Sequence, residues 1–200
     1  MQKTALYTAI VLATGILIWM LFFWQQEAGV RQGATSSILP PLPTGGDFTL
    51  MSHGGPVSLS EYQGKVVLLY FGYTWCPDIC PTNLAMIAAA LSELDAAEAL
   101  QVQTLFVSVD PDRDTPQRLK EYVEYFHPSL IGVSGSKREI DEIVERYGAA
   151  YRIVDKKSDA PYVVDHSADT YIIDKQGQLV RKMPHGSSPE ALLGALRPLL

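Results

Sequence analysis

Two cysteines are all the chain has, among 200 residues that also hold only four histidines. So small a supply excludes a disulfide-built scaffold, and it excludes an iron–sulfur cluster, which normally needs more thiolates. Basic runs are missing too: 16 Lys and Arg stand against 22 Asp and Glu, for a formal charge of −6. Nucleic acid requires concentrated positive charge to neutralise phosphates and is thereby excluded as a partner. There is no phosphate-binding glycine loop and no internal repeat, and the negative balance reads as solubility.

Charge is absent altogether from residues 5–24, where Leu, Ile, Val, Ala, Phe and Trp dominate. At ~1.5 Å per residue such a helix spans roughly 30 Å, the thickness of a hydrocarbon core. The run ends in Trp19, Phe22, Phe23 and Trp24, aromatic residues of the kind enriched at a membrane interface. Gln25-Gln26-Glu27-Ala28 is a poor signal-peptidase site, so a retained anchor over 1–24 is expected rather than a cleaved leader. Lys3 ahead of the helix points to a cytoplasmic N-terminus and an exported remainder. Residues 25–44 are rich in Pro and Gly without apolar periodicity and read as a spacer. A folded domain is expected over 45–200, long enough for a core without disulfides.

Within that domain, short apolar runs at Val66–Phe71 and Thr104–Val109 predict buried strands. Helical periodicity follows the first run, with Leu84, Ile87, Ala88, Leu91 and Leu94 spaced by three and four. Thr115-Pro116 predicts a capped helix start, and Ser136 to Tyr147 a second amphipathic helix ended by Gly148. Thr170–Asp174 and Gln178–Val180 flank a short turn and predict a hairpin, before a last helix over Ser188–Leu200. The alternation defines an α/β architecture with a mixed sheet flanked by helices.

Both cysteines lie in Trp75-Cys76-Pro77-Asp78-Ile79-Cys80-Pro81, directly after the strongest strand. A helix N-terminus there offers free N–H groups and the positive dipole end, which favour thiolate over thiol. The CxxxC spacing is one residue longer than the CxxC of redox proteins. Pro81 lacks an amide hydrogen, so Cys76 to Ile79 are expected to form a turn with Pro81 at the first helical position. A structural disulfide closing so short a loop would contribute only about 2 kcal/mol, little beside an ample core. Reactivity or metal binding accounts for the pair better.

Five stretches stand out together: Gly46-Asp47-Phe48-Thr49-Leu50, Phe71-Gly72-Tyr73-Thr74-Trp75-Cys76-Pro77-Asp78-Ile79-Cys80-Pro81, Val109-Asp110-Pro111-Asp112-Arg113-Asp114-Thr115-Pro116, Val164-Asp165-His166-Ser167 and Tyr171-Ile172-Ile173-Asp174. In these the chain resembles the Sco/SenC family of copper proteins, involved in cytochrome c oxidase assembly. The resemblance implies a thioredoxin-like fold and copper held by Cys76, Cys80 and His166. It sets His166 apart from His53, a turn residue, and from His127 and His185, for which no ligand role is expected. His166 is expected in a loop facing the cysteines, where thioredoxins carry a cis-proline and this chain has Asp169. Two thiolates and an imidazole suit Cu(I) and tolerate Cu(II), whereas zinc in structural sites usually asks for a fourth ligand. Asp78 reads either as an acid beside the metal or facing a partner, or as a first-turn acid favoured by the helix dipole. The stretch Asp110 to Asp114 reads as a strand-to-helix loop with a cap, which the resemblance makes a candidate edge of the copper site without making Asp110 a ligand.

The family likeness implies a metallochaperone for the binuclear copper centre of cytochrome c oxidase, meeting the oxidase's copper-bearing subunit and a copper donor. The alternative is a thiol–disulfide reductase acting on that subunit's cysteines, with Cys76 and Cys80 as its catalytic pair. A peroxidase is a distant third. The expected setting is a bacterial inner membrane, crossed once, with the domain in the periplasm, or the mitochondrial equivalent.

Overall fold

The structure, a computed structural model, describes residues 12–21, 43–154 and 162–200. Contacts divide the chain into two units, Met1–Pro41 and Leu42–Leu200. In the first, residues 12–21 are helical (α1) and expose Leu12, Ile16, Leu17 and Trp19. The rest of the apolar span 5–24, and the spacer up to residue 42, lie outside the described residues. Among those described, no helix is long and apolar enough to cross a membrane.

The second unit is tied down from its first residues. The Gly45 amide donates to the Arg146 carbonyl (3.0 Å) and the Tyr147 hydroxyl to the Gly46 carbonyl (2.9 Å). A hairpin of β1 (Thr49–Ser52) and β2 (Gly55–Ser58) precedes β3 (Val66–Gly72), the central strand of a five-stranded sheet. The sheet order is β5-β4-β3-β8-β9. β3 runs parallel to β4 (Val102–Ser108), which runs parallel to β5 (Leu130–Val133). On its other side β3 pairs antiparallel with β8 (Thr170–Ile173), itself antiparallel to β9 (Leu179–Met183). All seven residues of β3 are buried. A strand covered on both faces needs a continuous apolar run rather than alternation, and VVLLYFG supplies it.

Helices α2 (Ile79–Ser92), α4 (Pro116–Phe126), α5 (Lys137–Arg146) and α6 (Pro189–Leu196) flank the sheet, with a one-turn α3 (Ala96–Ala99) after α2. Their starts follow local chemistry. The Thr115 hydroxyl accepts the Arg118 amide with Pro116 at the first position, and Ser136 and Glu139 form a reciprocal capping box. A second hairpin, β6 (Tyr151–Val154) with β7 (Val163–His166), pairs Tyr151 with His166.

Two expectations change. Helix α2 opens at Ile79, so Pro81 occupies its third position, not its first. The first-turn amides have no intrahelical acceptor, so proline there removes nothing, and the first i→i−4 bond is Thr82 to Asp78 (3.1 Å). His166 ends a short strand instead of lying in a loop. Tyr151 across the ladder and the pairing of Ser167 with Ala150 fix its backbone (2.8 and 2.9 Å).

Candidate metal centre

The end of β3 delivers the chain into the cysteine turn, and the turn is pinned by a buried carboxylate. Asp114, 2% exposed, accepts the Thr74 amide (2.9 Å), the Thr74 hydroxyl (2.6 Å) and the Ser108 hydroxyl (2.7 Å). Burial raises its pKa, and the three donors oppose that rise. Beyond Thr74 come Trp75, exposed, and Cys76, half-buried; one turn later Cys80 is fully buried in the first turn of α2. The Cys80 sulfur rests on the backbone of Gly72. A methyl added at Gly72 would stand 2.7 Å from that sulfur and 2.8 Å from the Phe106 ring, inside any permitted contact.

His166 reaches the same point from β7. Its Nε2 lies 3.2 Å from the Cys80 sulfur, and its Nδ1 lies 2.9 Å from the Ser167 carbonyl. A carbonyl can only accept, so the neutral ring carries its proton on Nδ1 and turns the Nε2 lone pair toward the thiols. Tyr70 and Tyr73 stand edge-on to the imidazole, with ring centroids 6.3 and 5.7 Å away. A buried Asn83–Thr170 hydrogen bond (3.0 Å) ties α2 to the start of β8, the strand that follows His166 in the chain.

The sulfurs of Cys76 and Cys80 and a ring nitrogen of His166 all lie within 4.8 Å of one another, and no other His, Cys, Asp or Glu among the described residues joins the group. Both cysteines are free thiols. They differ sharply. Hydrogen bonding from the Cys80 thiol, with backbone amides including that of Cys80 (3.4 Å), lowers the Cys76 pKa to about 3 against the opposing effect of burial. Burial pushes the Cys80 thiol far up, and the neighbouring Cys76 thiolate adds to the rise. The pair therefore carries one proton, on Cys80. Such a set suits a soft metal ion, or equally a nucleophile backed by a resolving thiol.

The acidic residues take the plain roles. Asp78 is the exposed N-cap residue of α2, and Asp110, buried, pairs with Arg113 and accepts the Tyr162 hydroxyl (2.6 Å). His53 lies in the β1–β2 turn, His127 caps α4 and meets Ser129 (2.8 Å), and His185 is exposed in a turn. Gly72 and Asp114 stand in the sequence only as members of the stretches that carry the family likeness, and Asn83 carries no signal there; none of the three reads as an anchor from sequence.

A strand-to-helix dithiol faced by a histidine, on this mixed sheet, defines a thioredoxin-like protein equipped to bind a metal ion. Known proteins narrow the class. The SCO1/SenC family profile matches residues 37–200, and the chain belongs to that family. "Protein SCO2 homolog, mitochondrial" of Bos taurus is 36% identical over 199 residues, 98% of this chain and 75% of its own length. The crystal structure of Arabidopsis thaliana ScoI with copper bound has a TM-score of 0.70 at 37% identity, over 76% of this chain and 96% of that one. Apo Sco1 of Thermus thermophilus has a TM-score of 0.73 at 39% identity, over 82% and 94%.

Proposed function

We propose that this chain carries copper for the binuclear centre of cytochrome c oxidase, holding it between Cys76, Cys80 and His166. The observation that carries the reading is the convergence of those three donors within 4.8 Å, in a family whose solved members include copper-bound forms. Few ligands and one half-buried sulfur allow a partner to replace them one at a time, so copper is kept but not trapped. Cys76 is ready as a thiolate, and Cys80 loses its proton when the metal is taken up. Residues 5–24 anchor the chain as a single span with the N-terminus cytoplasmic. Residues 25–44 form the spacer, and 45–200 the copper domain, in the periplasm or its mitochondrial counterpart. The acceptor is the oxidase's copper-bearing subunit.

The unequal thiols support a second reading, a reductase for the acceptor's cysteines. The Cys76 thiolate attacks a target disulfide, forming a mixed disulfide and releasing one target thiolate. Cys80 then gives up its proton and attacks the Cys76 sulfur, freeing the second thiolate. Two electrons pass to the target and a Cys76–Cys80 disulfide remains. A strain lacking the gene separates the two. Oxidase activity restored by added copper supports delivery, and restoration by a small thiol but not by copper supports reduction.

A further inference from the structure

Beside the dithiol stands an exposed tryptophan that the fold holds in place. Trp75 is 53% exposed, and Ile79, which opens α2 after Cys76 in the chain, is 39% exposed. The Arg118 guanidinium lies 4.2 Å from the Trp75 ring centroid, with Arg113 farther off at 5.9 Å. Arg118 does not swing freely. Its Nε donates to the Thr74 hydroxyl (2.6 Å), which in turn donates to buried Asp114 (2.6 Å). A relay from the core thus fixes the cation, and the cation backs the indole. Arg113 pairs with Asp110 and donates to the Tyr162 carbonyl (2.9 Å), whereas no carboxylate among the described residues pairs with Arg118.

We propose that Trp75 and Arg118 are the recognition platform for the protein that exchanges copper with Cys76, and that this partner presents an apolar side chain to the indole and a carboxylate to Arg118. The inference rests on the copper-transfer reading, which itself fixes the occupant. A partner ligand must reach the Cys76 sulfur, since Cys80 is wholly buried, and any approach to Cys76 covers its exposed neighbours. Rigid Trp and Arg side chains are the residues that most often anchor interfaces, because little side-chain freedom is lost when they are covered. An unpaired guanidinium at the edge of a chain with charge −6 favours an acid there over a base.

The test uses the full chain, copper-loaded, and the soluble, metal-free, reduced domain of the oxidase's copper-bearing subunit as probe. Trp75→Ala and Arg118→Gln are expected to keep copper affinity and thiolate-to-copper absorption, which also certifies their folding. Each is expected to weaken association with the probe by about tenfold or more. Arg118→Gln should in addition flatten its salt dependence, while Arg118→Lys keeps it. Unchanged association in both variants, with transfer intact, overturns the platform and leaves copper delivery standing. A wild-type chain that neither binds nor loads the probe overturns both.

Discussion

The Cys76–Cys80 pair shares a single proton, and most of the site's chemistry follows from which sulfur lacks it. Held near a pKa of about 3, Cys76 is a thiolate across the neutral range, while buried Cys80 keeps its hydrogen. In the reduced, metal-free chain, alkylation is therefore expected at Cys76 alone, at a rate flat from about pH 5 to pH 8, because the depressed pKa lies below that window. A rate rising tenfold per pH unit toward pH 8 would mean an ordinary thiol. Copper uptake at neutral pH is expected to release about one proton rather than two, read by calorimetry in buffers of different ionisation enthalpy. The two cysteines were legible from sequence as a reactive pair. Their inequality was not, because it depends on the burial of Cys80 against Gly72 and on the His166 tautomer, which spacing does not encode.

Secondary-structure elements bring the three donors together through two contacts. Gly72, the last residue of β3, leaves room for the Cys80 sulfur; Gly72→Ala is expected to cost about 1–3 kcal/mol and to displace that sulfur. Denaturant unfolding reads the first effect, and a changed thiolate-to-copper absorption the second. Asn83→Ala leaves the Thr170 hydroxyl buried without its donor and loosens α2 from β8. It should cost about 1–3 kcal/mol in the same unfolding measurement and weaken Cu(II) binding more than Cu(I), since the imidazole matters more to Cu(II). The strands β3, β4 and β8 and helices α4 and α5 were readable because apolar runs and caps are local signals. The shorter elements, among them the β1–β2 hairpin, do not show in that way. The start of α2 lies ahead of Pro81, because proline is harmless where helix amides have no partner. β5 has only four residues and no distinctive run, and the hairpin that carries His166 has the sequence of a loop. Its four-residue strands gain their stability from tertiary contacts such as the Tyr73 hydroxyl accepting the Val164 amide (3.3 Å).

Across the whole molecule, the fold sets a buried anchor layer of Asp114, Thr74 and Asn83 beneath a reactive surface of Cys76, Trp75 and Ile79. That division lets a partner meet the site without disturbing the sheet. The apolar span 5–24 predicts that the full chain stays in the membrane fraction after an alkaline wash, and that deleting 5–24 releases it. Release of the full chain by that wash would dismiss the anchor. The central claim is the donor set itself, and X-ray absorption at the copper edge of the copper-loaded full chain tests it most directly. Two sulfur scatterers and one imidazole nitrogen are the predicted shell, with the imidazole lost in His166→Ala. A shell with a single sulfur, or one unchanged by His166→Ala, would contradict the account.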